Sequence, residues 1–185
     1  TFDTFIGNTA NSNRSYGFSS IAPNNYYSGN TVNANLSDGI RMATGSNTNT
    51  ITANTVNSNG GSGIMIISVS GCVVTGNTIA SDSQYGIHLS SAKSNTVSGN
   101  RLSQNVQAGI GVIGGAFIGS CTNAVVSNEI SGGDTGILIT GRSQENIITK
   151  NNVTGSVINL LANLGGNAQV SLARNWWSST DETTI

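Results

Sequence analysis

The sequence predicts an all-β solenoid, a fold in which short strands stack coil upon coil. One asparagine recurs every 22 to 28 residues along the 185-residue chain, and apolar residues flank each copy at fixed offsets. No segment has the spacing of an amphipathic helix. A unit of about 23 residues cannot enclose a core alone, so successive copies must stack to bury their apolar side chains.

The recurring asparagine lies between two apolar positions, one three residues before it and one two residues after it. The asparagines are Asn8, Asn30, Asn54, Asn77, Asn100, Asn128, Asn151 and Asn175. The apolar residues before them run from Phe5 to Leu172, and those after them run from Ala10 to Trp177. Alternating side chains indicate a short strand on each side with one buried face. We therefore expect each asparagine at a bend, bonded to the asparagine one coil away, in a ladder that fixes the register of the coils.

A third strand opens with a glycine eight or nine residues after six of the eight asparagines. Gly86-Ile87-His88-Leu89 is typical, and alternation again predicts one buried face. The repeat divides one domain, residues 1–185, into coils and a closing segment, 174–185. The predicted coils span 7–28, 29–52, 53–75, 76–98, 99–126, 127–149 and 150–173. At about 4.8 Å per rung they form a rod roughly 35 Å long.

The stretch from Gly86 to Leu102, GIHLSSAKSNTVSGNRL, resembles the right-handed parallel β-helix repeat family, whose pattern is G-I-x-L-x-x-S-x-x-N-x-V-x-G-N-x-I. The resemblance covers about residues 5–177 and implies a right-handed, single-stranded parallel β-helix of the pectate-lyase-like type. The family includes polysaccharide lyases, hydrolases, alginate epimerases, a copper-site maturation factor, phage spikes and noncatalytic surface modules. The resemblance therefore specifies the fold and leaves the function open.

Composition argues against several classes of partner. Charged residues make up 8% of the chain, and the net charge of −1 includes no basic stripe for nucleic acid. No apolar run is long enough for membrane insertion. The chain has neither an initiator Met nor a signal peptide, so we expect a mature or excised piece. Its Asn, Ser and Thr content favours an extracellular or cell-surface location, with the periplasm as an alternative.

Candidate catalytic residues are few, because the acidic residues are dispersed around the predicted coils. The one constellation that could serve a lyase or epimerase is Tyr85, His88, Arg41 and Lys93. His88 and Arg41 fall in one outward column, two rungs or about 10 Å apart. A single histidine on a strand is usually an ordinary surface residue, so we expect a noncatalytic protein and keep Tyr85, His88 and Arg41 as weak candidates.

No metal site or cofactor is predicted. One His and two separated Cys do not form a transition-metal cluster. Cys72 and Cys121 occupy different columns two coils apart, which disfavours an internal disulfide. We expect free thiols, and an intermolecular bridge through Cys121 is the alternative.

Large apolar side chains at outward positions indicate contact surfaces. They form an aliphatic stripe, a loop inserted in the 28-residue coil, and the outward tryptophan of the closing segment. The interface candidates are Met65, Ile67, Ile113, Phe117, Ile118, Leu138, Leu161 and Trp176.

These patterns favour a noncatalytic structural β-helix of an extracellular protein. We expect it to associate as a homo-oligomer or polymer, or with neighbouring coils of a longer chain, in a sheath, surface layer or fibre. The first alternative is a polysaccharide-binding or polysaccharide-modifying β-helix, resembling a lyase or epimerase. The second is an ice-binding solenoid, suggested by outward pairs such as Thr31/Asn33, Thr50/Thr52 and Thr55/Asn57.

Overall fold

The chain folds into a right-handed parallel β-helix of about seven turns, which confirms the predicted class. The structure is a computed structural model that describes residues 2–115, 119–165 and 169–178. All described strands pair in parallel with the equivalent strand of the adjacent coil, so the chain forms three sheets along the rod. No helix among the described residues is long and apolar enough to cross a membrane.

Sheet A contains the strand before each recurring asparagine, and sheet B contains the strand after it. The strands of sheet A are β1 (Thr4–Ile6), β3 (Tyr26–Ser28), β6 (Thr50–Thr52), β9 (Val73–Thr75), β12 (Thr96–Ser98), β15 (Ala124–Val126), β18 (Asn146–Thr149) and β21 (Val170–Ser171). Those of sheet B are β4 (Thr31–Asn33), β7 (Thr55–Asn57), β10 (Thr78–Ala80), β13 (Arg101–Ser103), β16 (Glu129–Ser131), β19 (Asn152–Thr154) and β22 (Trp176–Trp177).

Sheet C contains the third strand of each coil, and all of these strands except β20 have a glycine within one residue of the start. From β11 to β20 they are six or seven residues long. They are β2 (Phe18–Ser20), β5 (Ile40–Met42), β8 (Ile64–Ile67), β11 (Tyr85–Ser90), β14 (Ala108–Ile113), β17 (Thr135–Gly141) and β20 (Ile158–Leu164). The opening glycines are required by packing. A methyl group on Gly39 would lie 2.6 Å from Val56 Cγ1 and 2.9 Å from Asn59 Nδ2. The long strands give sheet C the broadest continuous outer face.

The core is a set of apolar columns, one side chain per coil, that runs along the axis of the rod. In one coil, for example, sheet A places Ile51 in the core, sheet B places Val56 there and sheet C places Ile64 there. All three side chains are fully buried. Phe5 and Tyr27 stack with their ring centroids 4.7 Å apart at one end. Leu172, predicted in the sheet A column, is instead 43% exposed, because no described coil packs over it.

Three polar ladders run along the bends, where the sequence predicted one. The predicted ladder lies between sheets A and B, and each asparagine accepts from the backbone N–H of its predecessor: Asn100 Oδ1 accepts from Asn77 N at 3.0 Å. The second ladder, between sheets B and C, contains Asn13, Asn35, Asn59, Asp82 and Asn105. The third, between sheets C and A, contains Asn25, Asn49, Asn95, Asn123 and Asn146, with Cys72 at one rung.

The residue before a ladder position adopts a left-handed backbone, as Ser94, Gly99 and Gln104 show with φ of 53°, 62° and 54°. This conformation turns the chain and aims the next side chain along the rod, which explains why Gly precedes several of the asparagines. Each coil therefore makes the same turn three times. Most buried amides of the ladders bond the next rung, as Asn77 Nδ2 does with Asn100 Oδ1 at 2.9 Å, so the ladders hold the coils in register.

Candidate functional site

One outward column of sheet C brings together most of the candidate residues from the sequence. Its members, in register from coil to coil, are Ser19, Arg41, Met65, His88, Gly111, Leu138 and Leu161. Arg41 and His88 are separated by the rung of Met65, so their backbones lie about 10 Å apart. The central strands of the sheet thus present a cation, an imidazole and an aliphatic stretch on one line.

Tyr85 lies against His88 on this face, at the opening of the same strand. Their ring centroids are 4.2 Å apart and the planes are tilted by 40°. The Tyr85 ring packs directly over Gly111. A methyl group on Gly111 would lie 2.8 Å from Tyr85 Cδ1 and 2.9 Å from Cε1, so a larger residue would displace the ring. Because Gly111 has no side chain, the phenol ring of Tyr85 can pack against the sheet at this position, next to the imidazole of His88.

Burial changes the acid–base properties of both rings. It lowers the pKa of His88 to about 4, so the imidazole is neutral near pH 7. It raises the pKa of Tyr85, whose phenol keeps its proton. The two His88 nitrogens are covered and have no hydrogen-bond partner among the described residues.

Arg41 stands two rungs away and is the cation nearest to the pair along the column. Its guanidinium lies over the ring of Tyr16, 5.0 Å from the centroid, which holds the charge on the surface of the coil. Burial raises the pKa of the neighbouring Asp38, and the Ser62 N–H, which donates to Asp38 Oδ1 at 2.8 Å, and the Arg41 charge oppose that rise.

Lys93 is not part of this arrangement. It lies beyond the strand, at the bend between sheets C and A, where it bridges Ser70 and Cys121 through the backbone. There it lines a shallow pocket of about 190 Å³ together with Ser68, Val69, Ser70 and Ser91. The sequence offered Lys93 as a cation beside His88, and the end of β11 lies between the two residues.

The predicted interface residues divide into three groups. Met65, Ile67, Ile113 and Leu138 point outward but are half-buried against their neighbours, whereas Leu161 and Trp176 are 42% and 67% exposed. Phe117 and Ile118 lie outside the described residues. Sheet C therefore shows a partly covered aliphatic stretch rather than a fully exposed stripe.

Outward hydroxyl columns lie on two sheets: Ser28, Thr52, Thr75 and Ser98 are in register on sheet A, and a threonine column lies on sheet B. Thr9, Thr31, Thr55 and Thr78 occupy one outward column in consecutive coils, and Arg101 ends it. Arg101 faces Glu129 across the next rung, with Nη2 3.3 Å from Oε1. The threonine array is thus one residue wide on this sheet and four rungs long.

No group of three or more His, Cys, Asp or Glu side chains converges within the described parts of the chain. Both cysteines are free thiols: Cys72 is buried in the third ladder, and Cys121 is half-buried at the same bend.

With the fold established, the chain can be compared with known proteins. The family model described as "Right handed beta helix region" matches residues 3–122 and 60–176. The chain belongs to this family. A search of the curated proteins found no match.

Solved structures similar to this right-handed β-helix protein include enzymes that act on polysaccharides. The A-module of the Azotobacter vinelandii mannuronan C-5 epimerase AlgE4 aligns with a TM-score of 0.79 and 17% identity, over 95% of this chain and 53% of that one. The periplasmic alginate epimerase AlgG aligns at 0.74 and 19% identity, over 93% and 45%. The Dettilon tailspike protein aligns at 0.52 and 12% identity, over 94% and 53%. The chain spans about half the length of these structures, and at these identities the similarity concerns the fold.

Sequence reasoning did not identify Gly111 or Tyr16 as parts of the site. The sequence did contain a signal for Gly111. In the segment Gly109-Ile110-Gly111 a glycine takes the outward position that His88 and Leu138 occupy in the adjacent coils. No comparable signal marked Tyr16, since it lies in a loop whose path the repeat does not define.

Proposed function

We propose that this β-helix binds an acidic polysaccharide along the outer face of sheet C. The observation that carries the proposal is the Tyr85 ring seated over Gly111 beside His88, in the same column as Arg41. The aromatic pair supplies an apolar platform for the C–H face of a pyranose ring. Arg41 supplies a fixed cation for a uronate carboxylate two rungs away.

The chemistry of the platform suits sugars. A pyranose presents apolar C–H groups on one face and hydroxyl groups around its edge, and an aromatic ring can cover the first without desolvating the second. A planar guanidinium binds a carboxylate through two parallel hydrogen bonds, which a neutral glycan cannot match. Together these two features favour a polyuronate over an uncharged glucan.

Binding is better supported than catalysis. A neutral His88 could accept a proton and Tyr85 could donate one. Both imidazole nitrogens are nevertheless covered by the surrounding side chains, and Arg41 is too far along the column to share a single sugar with them. The similarity to alginate and mannuronan epimerases supports a polyuronate as the ligand, and it also favours a periplasmic or extracellular location for the chain.

The experiment is affinity electrophoresis and calorimetry of the purified chain with alginate and with a neutral glucan. We expect alginate to bind and the glucan not to bind. Tyr85→Ala and Arg41→Ala should each weaken alginate binding about tenfold, corresponding to roughly 1.4 kcal/mol. The matched controls are Tyr26→Ala on sheet A and Arg101→Ala on sheet B, which should bind as the wild type does.

Equal loss in the sheet C variants and in their controls would contradict a site on sheet C. Conversion of mannuronate residues by the wild type, detected by NMR and abolished by His88→Ala, would show that the face is catalytic rather than only binding.

Self-association is a second candidate function, favoured by the exposure of Leu161 and Trp176 on the last described coils. In that case the apolar side chains of the rod would contact like chains and no glycan would be required. Sedimentation velocity over a wide range of concentration distinguishes the two, because a rod that remains monomeric while it binds alginate supports the first candidate alone.

A further inference from the structure

Asp82 occupies a rung of the second ladder where the neighbouring coils have asparagine. It follows Ser81, whose φ is 58°, as Asn59 follows Ser58 at 56°. Asp82 Oδ1 accepts from Asn59 N at 2.8 Å and from Asn59 Nδ2 at 2.9 Å, the bonds an asparagine Oδ1 makes elsewhere in the ladder. One oxygen of the carboxyl group therefore has its full set of donors.

The second oxygen, Oδ2, stands where an asparagine has its Nδ2. A methyl group on Gly63 would lie 2.5 Å from Asp82 Oδ2, just as one on Gly39 would lie 2.9 Å from Asn59 Nδ2. In the earlier rungs that nitrogen is a double donor. Asn35 Nδ2 donates to Ala10 O and to Asn59 Oδ1, both at 2.9 Å. At Asp82 the equivalent groups, by register, are Val56 O and Asn105 Oδ1, and both are acceptors.

A carboxylate in this place would point a charged acceptor at two acceptors, and Oδ2 indeed has no hydrogen-bond partner among the described residues. Rotating the Asn105 amide would bring its Nδ2, which also has no partner among the described residues, toward Oδ2, but at the expense of another bond. The rotation would give up the bond from Asp82 N to Asn105 Oδ1 at 3.1 Å and bring the Nδ2 donor against that same N–H. A proton on Oδ2 satisfies the site, because the O–H then donates along the ladder as Nδ2 does.

We propose that Asp82 is a structural proton-binding site: a neutral carboxylic acid that replaces asparagine in the ladder and makes the stability of the stack depend on pH. The proton is the ligand: on Oδ2 it is donated along the ladder toward Asn105 Oδ1, while the Asn59 side chain donates to Oδ1. The inference is independent of the proposed glycan site, which lies on the outer face of sheet C.

The surroundings of the carboxyl group favour the neutral form. Asp82 is fully buried, and burial raises its pKa to about 7, against the two hydrogen bonds from Asn59. Asp38 is the charged group whose field reaches it, and its negative charge acts in the same direction as burial. Arg41 faces Asp38 and offsets part of that charge. No cation among the described residues pairs with Asp82 directly.

The pH dependence follows from the direction of this change. The unfolded chain releases the Asp82 proton near its ordinary pKa of 3.8, whereas the folded chain holds it to about 7. The contribution is fully present below pH 3.8 and is lost as the pH rises from there to 7. The ratio of folded to unfolded protein should therefore fall by up to about 1,000-fold across that window because of this one group.

The test compares urea unfolding of the wild type, Asp82→Asn and Asp134→Asn between pH 4.5 and pH 8.5. Asp82→Asn supplies the donor permanently, so its stability should exceed that of the wild type at pH 8.5 and change much less with pH. Asp134→Asn alters an exposed acid and should follow the wild type. An Asp82→Asn variant that is less stable than the wild type at pH 8.5, or that keeps the same pH dependence, would overturn the proposal.

Infrared difference spectroscopy tests the proton without relying on a variant's folding. The wild type at pH 5 should show the carbonyl stretch of a buried protonated carboxyl, and this band should disappear when the pH is raised above 8. A spectrum at pH 5 that contains no such band would refute the neutral rung.

Discussion

Replacing Tyr85 with alanine should return His88 toward the titration of a hydrated imidazole. The phenol ring lies 4.2 Å from the imidazole, and the His88 nitrogens are covered and unpaired. The imidazolium therefore loses its hydration without gaining an acceptor. This cause lowers the pKa of His88 from its ordinary 6.5 to about 4.

The expected magnitude comes from that difference. A change from 6.5 to about 4 corresponds to roughly 3 kcal/mol of lost solvation of the charged form, at about 1.4 kcal/mol per pH unit. Removing the Tyr85 ring, which packs on His88, should restore at least a third of this solvation free energy. We therefore expect the pKa of His88 to rise by about one pH unit or more in Tyr85→Ala. Since the folded-state pKa is lowered, the wild type also loses stability as the pH falls from 6.5 to 4, and the variant should lose less.

Proton NMR measures this directly, because His88 is the only histidine in the chain and gives one pair of ring signals. Tyr26→Ala, which removes a half-buried tyrosine from sheet A, is the control and should leave the titration unchanged. Two results would refute the reasoning: a wild-type His88 that titrates near 6.5, or an unchanged low pKa in Tyr85→Ala.

Two further predictions concern the ladders. Asn100→Ala should lower the free energy of unfolding by about 2–4 kcal/mol, because it strands the buried Asn77 N–H and removes the donor to Asn128 Oδ1. Urea unfolding checks this, and the exposed Asn152→Ala should change stability by less than about 0.5 kcal/mol. Cys72→Asn should raise the unfolding free energy by about 1 kcal/mol, since an amide there replaces a weak thiol contact to Ser46 O at 3.5 Å and completes the third ladder; a loss of stability in the same assay would contradict this.

The repeat predicted the fold because each coil of a solenoid packs only on the coils before and after it. The spacing of Asn54, Asn77 and Asn100 sets the length of each coil, and the apolar columns set which face is buried. The prediction stopped at one ladder although the sequence contained the signal for three. In NTVSGNRLSQN, the residues Asn95, Asn100 and Asn105 stand five apart, and each belongs to a different ladder.

The outer face was less predictable, because it depends on contacts between side chains on different coils. Periodicity placed His88 and Arg41 in one column, and the structure agrees. Periodicity gave no indication that the Tyr85 ring packs over Gly111, since this contact joins two coils and residues 26 positions apart. Lys93, which the sequence offered as a second cation, lies at the bend between sheets C and A rather than in the column of His88.

In a solenoid whose coils repeat the same bends and columns, functional information is concentrated where one coil departs from the others. Gly111 breaks an outward column and makes room for the Tyr85 ring. Asp82 and Cys72 break two ladders at positions where asparagine would satisfy every bond. All three departures fall on the central coils, from the bend before β9 to β14, where neighbouring rungs stack on both sides. A local cost is best tolerated there, and both the aromatic pair of the proposed glycan-binding face and the proposed proton-binding rung lie in this part of the rod.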